Sequence, residues 1–182
     1  MLKLIREILK TGEATHRYPF APADVIKDSR GKPQHDAVRC IACAACTCAC
    51  PANALSMTTD VEAGTRTWAI DYGYCVFCGR CEEVCPTGAL TLTTDFELAV
   101  MRKEDLVTRA IFTLAYCRSC GVAFAAAKEV DYVARLLGTL AETPEEAERI
   151  RSHAEICPEC KRKLDVEQTA RANSVRQMEN SQ

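Results

Sequence analysis

The residues best equipped for chemistry in this chain are its cysteines, 13 among 182 residues. Cys40, Cys43, Cys46, Cys48 and Cys50 crowd into eleven residues, and Pro51 follows at once. Cys40, Cys43, Cys46, Cys50 and Pro51 recur 35 residues later as Cys75, Cys78, Cys81, Cys85 and Pro86. The next residues keep the offset, Pro51-Ala52-Asn53-Ala54-Leu55 matching Pro86-Thr87-Gly88-Ala89-Leu90. Each half reads C-x2-C-x2-C-x3-C-P. Three thiolates so spaced let one loop wrap three corners of an iron–sulfur cubane. The small residues between them (Ala42, Ala44, Ala45, Gly79) let backbone N–H groups approach the sulfurs. A pair of zinc sites is the competing chemistry, but zinc rarely needs four cysteines in a doubled, proline-terminated pattern.

The spacing resembles that of bacterial-type ferredoxins with two [4Fe–4S] clusters. In that pattern the fourth cysteine of each run ligates the other cluster. The resemblance therefore assigns Cys40, Cys43, Cys46 and Cys85 to cluster 1, and Cys75, Cys78, Cys81 and Cys50 to cluster 2. It also leads one to expect a helical turn starting at the fourth cysteine and leading away. Cys48 is left over and reads as a small buried hydrophobe in preference to a ligand.

A second constellation follows. Cys117-Arg118-Ser119-Cys120 and Cys157-Pro158-Glu159-Cys160 are two C-x2-C knuckles with 36 residues between Cys120 and Cys157. Each presents two thiolates from a tight turn. Gly121 suits a turn with positive φ, and Pro158 pre-sets the second knuckle. Four thiolates make a tetrahedral site for zinc or for a rubredoxin-like iron, and a third cluster is a weaker alternative.

The elements that must position these ligands are short. Leu55/Met57 and Leu90/Leu92 alternate with Ser or Thr, as half-buried strands do, and Thr65–Ile70 reads as a return strand after a turn at Gly64. Thr108–Tyr116 reads as a strand entering the first knuckle. Ala126, Val130, Val133, Ala134 and Leu137 fall at helical spacing. Thr143, Pro144 and Glu146 look like the N-cap, N1 and N3 of a second helix, which delivers Cys157. The ends differ in character. Residues 1–10 put Met1, Leu4, Ile5 and Ile8 on one helical face, suited to docking on a partner subunit or membrane surface. Prolines 19, 22 and 33 suggest an extended arm, and residues from Lys161 onward a polar tail. The expected fold class is α+β. It comprises a helix and docking arm (1–33), a two-[4Fe–4S] ferredoxin domain (34–95), a four-cysteine mononuclear-metal module, zinc-ribbon or rubredoxin-like, with a helical insert (96–165), and a flexible tail (166–182). A domain of that size buries little core, so the clusters act as staples and the apoprotein is expected to be largely unfolded over residues 40–92.

Composition narrows the function. Formal net charge is −2, which offers no general attraction to nucleic acid. The histidines are His16, His35 and His153, so sulfur dominates any metal chemistry. The opening MLKLIREILK intersperses charge with apolar residues and lacks the pattern of a secretory leader, which fits a cytosolic chain with reduced thiols. No C-x3-C-x2-C triplet, G-x-G-x-x-G or P-loop occurs. Clusters ligated wholly by cysteine leave no iron open to substrate. The chain is expected to move electrons and to have no catalytic residue.

Taken together, several features resemble the ferredoxin-type subunits of formate hydrogenlyase, the hydrogenase-4 component H type. They are the repeat, the amphipathic start, Tyr18-Pro19-Phe20, Arg30-Gly31-Lys32-Pro33, the run Cys75–Pro86, and Cys157-Pro158-Glu159-Cys160. The chain is similar over residues 1–95 to the two-cluster 23 kDa-type subunit of respiratory complex I. The four-cysteine module favours the hydrogenlyase side. The resemblance implies a subunit bridging formate dehydrogenase-linked and [NiFe]-hydrogenase partners, with its N-terminal helix against a membrane arm on the cytoplasmic side of the inner membrane. The alternatives are a soluble ferredoxin carrier, a complex I-like NADH-quinone oxidoreductase subunit, and a zinc-ribbon interaction module whose clusters are only structural.

Overall fold

The computed structural model describes residues 2–12, 15 and 17–179, so Met1 and His16 lie outside it. The sequence repeat becomes a pseudo-twofold in space. Strands β1 (Pro33–His35) and β4 (Leu90–Leu92) pair antiparallel, with Pro33 opposite Leu92 and His35 opposite Leu90. Strands β2 (Leu55–Asp60) and β3 (Thr65–Asp71) form a hairpin in which Trp68 faces Met57 and Ile70 faces Leu55. Moving Pro33 and His35 forward by the repeat gives Trp68 and Ile70, and moving Leu92 and Leu90 back gives Met57 and Leu55. The two ladders therefore share one register. Gly64, at φ +65°, closes the hairpin as its turn requires.

Helical turns α2 (Ala45–Ala49) and α3 (Arg80–Glu83) are also symmetry mates. Each begins one residue before the third cysteine of its run and ends before the fourth, so the expectation of a helical turn beginning at the fourth is corrected. The proline is the cause. A residue preceding proline is driven out of the α region, and Cys50 is extended at φ −75°, ψ 110°.

A 3₁₀ turn (Lys103–Leu106) leads into β5 (Val107–Tyr116), which pairs antiparallel with β3 from Thr65 opposite Thr113 to Asp71 opposite Val107. Strand β6 (Ala123–Ala126) adds to β5 across an irregularity at Ala115/Tyr116. The sheet order is β2-β3-β5-β6, and it crosses the expected boundary at residues 95 and 96. Its inner face carries Trp68, Ile70, Leu55, Phe112 and Ala126, which pack with Leu90, Ala42 and Cys81. Trp68 is fully buried. Removing one indole, on the order of 200 Å², from water contributes about 5 kcal/mol, a large share for so small a core.

Helices α4 (Ala127–Gly138) and α5 (Pro144–Ala154) follow and pack on one another. The Thr143 hydroxyl accepts from the Glu146 N–H at 3.2 Å, as its N-cap position predicts. The returning carboxylate of Glu146 accepts from the N–H of Glu142 at 3.0 Å, one residue earlier than in a standard capping box. Helix α6 (Pro158–Glu179) runs through the segment read as a polar tail. Its Lys, Arg, Glu, Gln and Ala residues lose little rotamer freedom in a helix.

Helix α1 (Leu2–Thr11) buries none of its residues, and Leu2, Leu4, Ile5, Ile8 and Leu9 are all exposed. The arm after it is packed at its end, which corrects the expectation of a wholly extended segment. Gly31 N–H donates to the Thr93 carbonyl and Lys32 N–H to the Asp95 carbonyl, each at 2.7 Å, and Pro33 is fully buried. These bonds carry the β1–β4 ladder beyond its ends. Among the described residues no helix is long and apolar enough to cross a membrane.

Candidate metal centres

The two cysteine loops adopt the same unusual backbone. Ala42 and Ala44 lie at φ 56° and 62°, and their symmetry mates Phe77 and Gly79 at φ 52° and 84°. Asn53 and Gly88, behind the fourth cysteines, repeat the device at φ 52° and 58°. A left-handed conformation costs a non-glycine residue roughly 1–2 kcal/mol, so its use at Ala42, Ala44, Asn53 and Phe77 needs a purpose. Left-handed residues among right-handed ones turn successive N–H groups inward, forming a nest for an anion such as a thiolate-bound cluster.

The sulfurs already receive some of these donors. Ala42 N–H reaches Cys40 Sγ at 3.4 Å, Ala54 N–H reaches Cys50 Sγ at 3.3 Å, and Ala89 N–H reaches Cys85 Sγ at 3.1 Å. Burial raises the Cys40, Cys46 and Cys75 thiols above their ordinary pKa and pushes Cys81 up to about 11. Cys85 moves the other way. Burial raises it, but the Thr87 side chain and the N–H groups of Thr87, Ala89 and Leu90 together bring it below its ordinary value.

The thiols gather across the repeat. Cys40 feels the charge of Cys85 and Cys43, and Cys46 that of Cys40, Cys43 and Cys85. Cys75 feels Cys50 and Cys78. A small apolar cavity of about 20 Å³ is lined by Cys50, Cys75, Cys78 and Cys81, with Pro33 and Ile70 behind them. The donor set and the inward N–H groups suit a cubane with four thiolates. Cys81 also feels its symmetry mate Cys46, which marks the boundary between the two groups.

Cys48 is exposed, which corrects the expectation of a buried hydrophobe. It sits in α2 two residues beyond Cys46, and two residues turn a helix side chain to the opposite face.

The third group is tighter. The ligand atoms of Cys117, Cys120, Cys157 and Cys160 all lie within 4.8 Å of one another, the spacing of a single ion. Gly121 takes φ +72°, as its turn demands. The knuckles are tied together by the Cys157 N–H donating to Cys117 Sγ at 3.2 Å and the Arg118 N–H donating to the Glu155 carbonyl at 3.1 Å. The Cys157 N–H is the main reason the Cys117 thiol drops to about 6. Cys160 is pushed up to about 12. The Ser119 side chain pulls it down, and hydrogen bonds with Cys157 and Cys120 outweigh that pull. Four thiols this close are the ligand set that a cation completes, displacing their protons as it binds.

Sequence reasoning missed the supports around the first loop. Arg66 donates to the Ala42 carbonyl at 3.0 Å and to Glu129 of α4 at 3.3 Å. Lys128 donates to the Ala37 and Val38 carbonyls at 2.8 and 3.0 Å, just ahead of Cys40. His35 stacks on Trp68 with ring centroids 3.8 Å apart. The repeat offset pairs His35 with Ile70 and Trp68 with Pro33, and that mismatch was the available signal.

The 4Fe-4S dicluster domain family matches residues 39–89, which span both cysteine runs. Formate hydrogenlyase subunit 6 of Escherichia coli (strain K12) is 46% identical over 178 residues, 98% of each chain. A solved chain from the membrane-bound sulfane sulfur reductase (MBS), an archaeal respiratory membrane complex, is 33% identical with a TM-score of 0.43. That match covers 57% of this chain and 56% of the other. Identity at this level over nearly the whole of both chains shows that the chain belongs to the family of formate hydrogenlyase subunit 6.

Proposed function

We propose that the chain is a non-catalytic electron-transfer subunit of a membrane-associated [NiFe]-hydrogenase complex of the formate hydrogenlyase type. Cys40, Cys43, Cys46 and Cys85 hold one [4Fe–4S] cluster, and Cys75, Cys78, Cys81 and Cys50 the other. Cys117, Cys120, Cys157 and Cys160 hold one zinc or a rubredoxin-like iron. The clusters supply one-electron redox chemistry. The chain's own residues hold the sulfurs, exclude water and keep two redox sites within one small core. The observation that carries this reading is the 46% identity across nearly the whole of both chains.

Partners follow the same reading: hydrogenase and formate dehydrogenase-linked iron–sulfur subunits, and a membrane-arm subunit docked by α1 on the cytoplasmic side of the inner membrane. The bare apolar face of α1 supports a resident subunit over a diffusing ferredoxin, which has no need of a docking helix. Affinity purification from native lysate tests it. The expected result is co-elution with hydrogenase activity, about eight irons and one zinc per chain, and loss of co-elution without loss of iron when only helix α1 (Leu2–Thr11) is removed. A lone peak near 20 kDa would reject the resident role.

A further inference from the structure

The pseudo-twofold that builds two similar cluster sites is broken at their inner walls. Behind cluster 2 stand Pro33 and Ile70, both buried and neither carrying a side-chain donor. Their symmetry mates behind cluster 1 are Trp68 and His35, stacked ring on ring. Trp68 is wholly buried, and its indole Nε1 is a donor with no hydrogen-bond partner. Cys46 and Cys40 pack against the core that holds Trp68, as do Cys50 and Cys81 of the other site, and Arg66, two residues from Trp68 on the same face of β3, donates to the Ala42 carbonyl inside the first loop. A neutral thiol is a weak acceptor, whereas a cluster-bound thiolate is an anionic one.

We infer that the Trp68 indole N–H donates to the Cys46 corner of cluster 1 and sets that cluster at a higher reduction potential than cluster 2. This inference rests on the two-cluster reading. A donor aimed at a cluster sulfur stabilises the more negative, reduced form, and hydrogen bonds to sulfur are among the main determinants of cluster potential. Cations separate the two sites less cleanly. Arg66 reaches the Ala42 carbonyl in one loop, and Arg30 reaches the Cys78 carbonyl at 3.1 Å in the other. The buried indole has no counterpart at cluster 2. Cluster 1 is thus the site where an electron comes to rest, and cluster 2 the site it crosses.

Trp68 is the chain's sole tryptophan, so it can be altered or labelled without ambiguity. Purified chain is titrated anaerobically with dithionite while EPR and visible absorption are followed, in wild type and in Trp68→Phe. Iron content and two reductive waves in the wild type test the cluster reading by themselves. With those in hand, the variant should retain its iron while its higher-potential wave shifts downward and the lower wave stays. Movement of the lower wave, of both equally, or of neither overturns the inference. Should the variant lose iron, wild-type protein grown with indole-15N tryptophan decides. A 15N hyperfine coupling on the reduced cluster supports the donor, and its absence overturns it.

Discussion

At the scale of single residues, the cysteines divide by spatial neighbourhood and not by sequence neighbourhood. Cys46 and Cys50 are four residues apart, yet Cys46 sits among Cys40, Cys43 and Cys85, and Cys50 beside Cys75. Cys85→Ser should therefore damage the cluster served by the first run, although it lies in the second. Iron should fall toward about half of the eight expected, and the lost EPR signal should be that altered by Trp68→Phe. Cys48→Ser should leave iron unchanged, because Cys48 points outward from α2. Equal iron in the two variants would contradict the crossed arrangement.

At the scale of elements, the ladder between Gly31 and Asp95 shows how little room the fold leaves. A methyl group at Gly31 would lie 2.2 Å from the Asp95 carbonyl oxygen, with the rest of that peptide also inside contact distance. Backbone cannot swing aside as a long side chain can. Gly31→Ala should cost about 1–3 kcal/mol. Anaerobic bleaching of the clusters in guanidinium should be correspondingly faster, since β1 and the Pro33 wall of cluster 2 would be displaced. A bleaching rate equal to wild type would show that the arm is not part of the cluster domain. The glycine is recognisable in sequence only as part of Arg30-Gly31-Lys32-Pro33. Which carbonyl it admits depends on a strand some sixty residues away.

For the whole molecule, the shared sheet changes what metal removal should do. Read in sequence, the iron-stapled segment 40–92 and the four-cysteine module are separable. In the structure β5 pairs with β3 over the full length of β3, while Arg66 and Lys128 tie the first loop to α4. Stripping iron should therefore expose amides in β5 as well as β3, leaving α5 and α6 anchored by the mononuclear metal. Hydrogen exchange of apo and holo protein checks this. Protection retained throughout β5 in iron-free protein would mean that the two halves fold independently.

What the sequence determined by itself was everything carried by local spacing. The doubled motif, the two knuckles, the hairpin at Gly64 and the cap at Thr143 all depend on residues within one turn or one short loop. A ligand's type and its spacing along the chain survive any rearrangement of the rest. Tertiary structure alone decided which side of α2 faces the clusters, and so exposed Cys48. It also decided that Ala123–Ala126 is a strand despite a helix-forming composition, because β5 offers it an unpaired edge. It alone set Trp68 and Pro33 at equivalent places in the two ladders. A repeat in sequence predicts equal sites. The packing of one indole against one histidine makes them unequal, since a buried donor acts only on the acceptor its neighbours leave within reach.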